Sequence, residues 1–272
     1  TKNRLYDQIM KALDSYHSSN STEASIYKLI HGAEILYQKG LYDHAERQLK
    51  SANRLAQKHA KFSLQIKIEE QLNQIIETLG YNRILDSDLD ERDSKMEDLI
   101  ITQRYKNNLW SLKSKLFSKM HQSGKSRCAK DMNEFKDLMN QYQDLQEPSS
   151  KSFEIKYLEN HFLSAYYYAT LDYAESLSFL HKNLHLFQEQ TKKIKDAPEK
   201  YLSVLTNTIH LELAEGNTKK IYGLLGELNT FKEKYKINSN EDLDIKLFSS
   251  IKSTNLMVYI HQAEFEKAVK LE

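Results

Sequence analysis

Residues Ile26 to His59, IYKLIHGAEILYQKGLYDHAERQLKSANRLAQKH, carry the pattern from which the architecture of the whole chain can be read. Leu29, Ala33 and Leu36 recur at three- and four-residue steps, the spacing of one helical face. Gly40 follows, where a residue without Cβ most easily takes the left-handed conformation that ends a helix. Tyr42, Ala45, Leu49, Ala52 and Leu55 then restart the same period. Two amphipathic helices joined by so short a turn pack antiparallel.

The flanking sequence extends this pattern in both directions. Upstream, Leu5, Ile9, Ala12, Leu13 and Tyr16 share one face of a helix over residues 2–17, and the polar run Ser18 to Thr22 offers N-caps for the next. Downstream, Ala60 to Leu79 is periodic and closes at Gly80. Asn82 to Asp93 reads as an acidic loop feeding a long helix from Ser94 to Met120. Gln122 to Ser126 breaks the pattern, and a helix around Met132 to Leu145 ends before Pro148. The second half reads as helices over Phe153–Leu171, Tyr173–Lys193, Pro198–Ala214, Thr218–Tyr235 and Leu243–His261. Phe265 opens a further helix that reads as a repeat cut short.

Composition points the same way. Seven Gly and two Pro in 272 residues are too few for the turns of a sheet protein of this size. With 39 Lys+Arg against 38 Asp+Glu, no net field draws the chain to nucleic acid or to an anionic membrane. The single cysteine, Cys128, excludes an intramolecular disulfide framework and agrees with a reducing, cytoplasmic setting. No apolar run has the length of a membrane span.

Aligning the inter-helix turns at Gly40, Leu171, Gly216 and Ala263 exposes a repeat. Seven residues before each turn stand Ala33, Ser164, Ile209 and Leu256; four before stand Leu36, Tyr167, Glu212 and Tyr259. Two after the turn come Tyr42, Tyr173, Thr218 and Phe265, and five after come Ala45, Ser176, Ile221 and Ala268. This spacing resembles the tetratricopeptide repeat. The last three turns are 45 and 47 residues apart, so the helices are expected to be longer than the family's usual ones. The resemblance implies an all-α, right-handed superhelical solenoid of antiparallel helix pairs, about eleven helices in all. It spans residues 1–272 as one domain, with degenerate middle repeats in the half 1–148 and clearer ones in 149–272. The expected site is the concave groove. By the family's mapping Tyr27, Glu34, Tyr37, His161, Tyr168, Asn207, His210, Thr254 and His261 line it, and the alternative for several of them is packing between repeats. One branch of the family grips C-terminal carboxylates through Lys, Arg and Asn on that face. Here Ile30, His161, Thr206 and Ser253, then Glu34, Ala165, His210 and Met257, occupy those positions, so that clamp is not expected.

Gly124-Lys125-Ser126 looks like the end of a phosphate-binding loop, but Lys119 stands where that motif needs its first Gly and no strand precedes it; an inter-helix loop is expected. Asp86, Asp88, Asp90 and Glu97 have calcium-loop spacing without its turn glycine, since Glu91 is there, so helix-capping acids are expected. His181 and His185 are four apart on a helix without a third ligand, and Cys128 reads as a part-buried helix cysteine. No catalytic, metal or cofactor site is expected. The functional expectation is a non-catalytic scaffold that binds a protein or peptide, with a homodimer compatible with it. The alternative is the sensor part of a signal-responsive regulator whose output domain lies elsewhere.

Overall fold

Among the described residues, seven helices stop in the same way. At Gly40, Ala60, Gly80, Leu171, Gly216, Lys236 and Ala263 the backbone turns left-handed, with φ from +49° to +75°. The next N–H then reaches back five places to a carbonyl, as Leu41 does to Leu36 at 3.0 Å, Asp172 to Tyr167 at 2.9 Å and Glu264 to Tyr259 at 2.8 Å. These bonds satisfy carbonyls that a helix end would otherwise leave bare, and they reverse the chain within a few residues. The four turns aligned in the sequence are all of this kind. Residues four before the turn are therefore the ones whose carbonyls take the long bond.

The structure, a computed structural model, describes residues 2–17, 22–82, 84–237 and 241–271. Every described element is a helix: α1 (Lys2–His17), α2 (Thr22–Gln38), α3 (Tyr42–Lys58), α4 (Phe62–Thr78), α5 (Asp86–Ser123), α6 (Ala129–Gln143), α7 (Phe153–Ala169), α8 (Tyr173–Glu189), α9 (Thr191–Asp196), α10 (Pro198–Ala214), α11 (Thr218–Asn229), α12 (Phe231–Tyr235), α13 (Glu241–His261) and α14 (Phe265–Val269). No described helix is long and apolar enough to cross a membrane. Of the polar run expected to cap α2, residues 18–21 lie outside the described residues, and Thr22 opens α2 itself.

Fourteen helices among the described residues replace the eleven expected. Gln190, at φ −127° and ψ 61°, leaves the helical region and divides α8 from α9. Thr230 divides α11 from α12, and its hydroxyl donates to the Gly226 carbonyl at 2.8 Å, a back-bond that bends helices. The acidic stretch expected as a loop is instead the opening of α5. Asp86 and Asp88 stand in its first turn, where their charge opposes the helix dipole, and Asp88 accepts from the Leu85 N–H at 3.1 Å. Cys128 is also corrected: it is exposed at the N-cap of α6, in extended conformation, rather than part-buried inside a helix.

The chain divides into two compact units, residues 1–107 with 146–152 and residues 108–145 with 153–272. In the first, α2, α3 and α4 pack in series around Ile26, Ala33, Ala45, Leu49 and Ile68. The small residues Ala33 and Ala45, seven before and five after the Gly40 turn, are both buried. Glu69 on α4 is buried too. It accepts from Asn53 on α3 at 2.7 Å and from Arg92 at 3.1 Å, and Lys95 also pairs with it. Buried charge is tolerable only when met by such partners. Leu5, Ile9 and Leu13 of α1 are exposed.

In the second unit α7 pairs with α8, α10 with α11, and α13 with α14, while α10 also packs on α8 and α13. Fully buried Phe187, Tyr201, Leu205, Ile209, Leu228 and Phe231 form its main core. Leu112 and Leu116 of α5, Phe135 and Leu138 of α6, and Phe162 and Ala169 of α7 form a second. Burial of each large apolar side chain in these cores contributes on the order of 2 kcal/mol.

Candidate functional site

Three helices of the second unit turn one stripe each toward a common cavity of about 310 Å³. On α7 the stripe is His161, Ser164, Ala165 and Tyr168; on α10 it is Asn207, His210, Leu211 and Ala214. Both runs step by three and four residues, so each is a single helical face. From α8 come Tyr173, Ser176 and Leu180, and Phe117 and Met120 add the end of α5. The helices stand close because small residues face each other. Ser176 and Ser164 are buried, and the Ser176 hydroxyl donates to the Ser164 carbonyl at 2.8 Å.

Among the described residues that line the cavity, Lys125 alone is charged at pH 7. Its loop turns at Gly124, φ +77°, and is tied to the end of α7 by the Ser126 N–H, which donates to the Ala169 carbonyl at 2.8 Å. The ammonium donates to the Tyr173 hydroxyl at 2.9 Å and lies 4.1 Å and 4.8 Å from the ring centres of Tyr168 and Tyr173. Partial burial works against its charge, but the hydroxyls of Tyr173 and Tyr168 outweigh that and hold its pKa above the ordinary lysine value.

The two histidines are of opposite character to this lysine. Burial, with the charges of Lys113 and Lys200, pushes the pKa of His161 down to about 4, so its ring is neutral at pH 7. It sits between the rings of Phe117, at 5.5 Å, and Tyr157, at 5.7 Å. Its ring nitrogens meet no hydrogen-bonding partner among the described residues. Burial lowers His210 as well, and its Nε2 lies 3.4 Å from the Thr254 hydroxyl. The wall thus offers apolar surface, neutral hydrogen-bonding groups and one fixed cation.

The nine residues mapped to a groove from the sequence fall in both units. His161, Tyr168, Asn207 and His210 line the cavity just described. Thr254 is fully buried behind His210, and His261 is exposed at the end of α13 without lining it. In the first unit Glu34 and Tyr37 line a separate hollow of about 450 Å³, together with Lys67, Glu70 and Gln71. There Glu34 accepts from Gln71 at 2.7 Å, and the Tyr37 and Thr78 hydroxyls are 2.7 Å apart. Tyr27 is 55% exposed and lines neither cavity. Of the three consecutive tyrosines, Tyr166 is core, Tyr167 stacks on Phe179 of α8 at 5.7 Å, and Tyr168 faces the cavity.

Lys125, Tyr173 and Phe117 are among the cavity residues that reading the sequence did not single out for this role. Lys125 sits in the Gly-Lys-Ser loop, and nothing in the local sequence fixes the direction in which that loop residue points. The paired histidines are used separately. His181 meets Glu212 at 2.7 Å, and His185 meets Glu189 at 3.3 Å. No group of three or more His, Cys, Asp or Glu among the described residues is placed to hold a metal ion. No protein-family profile, curated protein or solved structure matches this chain.

Proposed function

We propose that the second unit binds a peptide segment of a partner protein in this cavity, without catalysis. The hairpins of each unit are read as divergent tetratricopeptide-like repeats stacked in series, with the cavity on the inner face of the α7, α8 and α10 stack. The observation that carries this reading is convergence. His161, Tyr168, Asn207 and His210, which the resemblance to the repeat family maps to a groove, line one cavity in three dimensions. Apolar lining with a few fixed polar groups is the usual character of a preformed binding site, and tyrosine is favoured in such sites because it gives large contact at little entropic cost.

Ala214 supplies the test. It is exposed, ends α10 and lines the mouth of the cavity, so a bulky side chain there occupies the site without entering a core. Peptides selected from a displayed random library on the immobilised full chain are expected to lose binding to Ala214→Trp. They should weaken about tenfold or more with Tyr168→Ala, the loss typical of an aromatic anchor. A selection in which every recovered peptide binds wild type and Ala214→Trp equally sinks the assignment.

A further inference from the structure

The charge on the cavity wall is one-sided. Among its lining residues Lys125 carries the single full charge and no carboxylate is present. The ammonium has three donors; the Tyr173 hydroxyl takes one and the Tyr168 hydroxyl also bonds it, which leaves one for a ligand. Its position is held from behind by two aromatic faces rather than by an acid. Lys113 and Lys200 act on His161 in the same sense, adding positive potential to the apolar end of the site. A buried-side cation placed against rings and hydroxyls, with no counter-ion on its wall, is complementary to an anion that arrives from outside.

Resting on the peptide-binding reading above, we infer that the cavity anchors an acidic–apolar pair of the partner, with a large apolar side chain filling the cavity and an Asp or Glu within two positions of it pairing with Lys125. The volume of about 310 Å³ lies at the small end of ligand pockets and takes a large apolar side chain with part of its flanking backbone. Phe117, Met120, Ala165, Leu180 and Leu211 give it an apolar lining. A carboxylate rather than a phosphate is chosen by the donors. One ammonium and tyrosine hydroxyls match a single negative charge, whereas a phosphate dianion is held by arginine forks, and no arginine lines this cavity. His161, neutral at pH 7, contributes a donor and an acceptor for the peptide backbone without competing for the anion.

The test uses the full chain and two blocked tetrapeptides, acetyl-Ala-Asp-Phe-Ala-amide and acetyl-Ala-Asn-Phe-Ala-amide, with affinities from calorimetry or saturation-transfer NMR. The acidic peptide is expected to bind about five- to tenfold more tightly than its amide twin. Lys125→Gln should erase that ratio while leaving the weaker affinity in place, and Ala214→Trp should abolish both. Equal binding of the two peptides to wild type, or an acid preference that survives Lys125→Gln, overturns the inference. So does the absence of binding by either peptide at millimolar concentration. Preference for acetyl-Ala-Asn-Phe-Ala with a free C-terminus over the internal aspartate also overturns it, assigning Lys125 to a terminal carboxylate. In each case library peptides blocked by Ala214→Trp leave the peptide-binding reading standing, so the two failures are distinguishable.

Discussion

The Ser176 hydroxyl donates to the backbone carbonyl of Ser164 at 2.8 Å and so ties α8 to α7. Both residues are buried, at 1% and 4% exposure, and Ala33 and Ala45 hold the equivalent places between α2 and α3. Small side chains are therefore a condition of the hairpin rather than a filler. Ser176→Ala should cost about 1 kcal/mol, the worth of one buried hydrogen bond. Ser176→Leu should cost about 2–3 kcal/mol because the added carbons force two backbones apart. Urea unfolding of the two variants measures the difference, and equal costs would mean that the helices are not in close contact there.

Leu171 occupies a left-handed position, φ +67°, that Gly216 fills with φ +75° at an equivalent turn. A side chain at such a φ is strained, and Leu171 is half exposed, so little packing offsets the strain. Leu171→Gly should stabilise the protein by about 0.5–1 kcal/mol. Gly216→Ala should destabilise it by about 1 kcal/mol through backbone strain alone, since a Cβ there meets no atom within 4 Å. Opposite signs in thermal unfolding are the expected result, and a loss of stability in Leu171→Gly counts against the turn geometry.

These turns also show what could be read in the sequence. Gly40 and Gly216 announce their conformation, and the helical period then places Ala33, Ser164 and Ile209 in the core. Leu171 and Ala263 adopt the same turn with no glycine, and only their alignment with Gly40 reveals it. Chain divisions at Gln190 and Thr230 were not legible, because neither residue is a strong breaker and the apolar period runs on across both. The first turns of α5 were misread for a related reason: acids at a helix start and acids in a loop have the same composition. His161, Tyr168, Asn207 and His210 were legible as one face each of two helices, whereas Lys125 was not, since a loop residue's direction is set by tertiary bonds such as Ser126 to Ala169.

Glu212 is the point where the repeat departs from its own pattern, with a carboxylate where Leu36, Tyr167 and Tyr259 stand in the other units. It is 0% exposed, and it accepts from Asn217 Nδ2 at 2.6 Å and from His181 Nε2 at 2.7 Å, with Lys220 at 3.6 Å. Asn217 is also the residue whose N–H makes the long turn bond to Glu212. The apolar contact that usually closes such a turn has become a polar one. Glu212→Ala, which leaves a cavity and strands both donors, should cost about 3 kcal/mol. His181→Ala should cost about 1 kcal/mol, because that ring is 41% exposed and the carboxylate keeps Asn217. Glu212→Leu combined with Asn217→Leu should recover most of the loss by restoring the apolar closure, so a double variant no better than Glu212→Ala would refute this account of the turn.

His161 gives the protein an acid sensitivity whose sign is fixed by its surroundings. Burial first, then Lys113 and Lys200, hold its pKa at about 4 in the folded protein, against 6.5 for an unhindered ring. Between those values the unfolded chain takes up a proton that the folded chain refuses, so stability falls as pH is lowered from about 6.5 to about 4. Above 6.5 both states are neutral and the ring makes no pH-dependent contribution. Below about 4 both are protonated and the loss is complete. The slope approaches about 1.4 kcal/mol per pH unit in the middle of the window, and the total across it is about 3–4 kcal/mol. His210, lowered by burial as well, adds a loss of the same sign. Comparing wild type with His161→Gln by urea unfolding at pH 7.5 and pH 4.5 isolates the first contribution from the rest of the chain. Wild type is expected to lose about 2 kcal/mol more than the variant over that interval. Equal losses would show that the His161 ring is reached by solvent in the folded protein, and the neutral character of the cavity wall would fall with it.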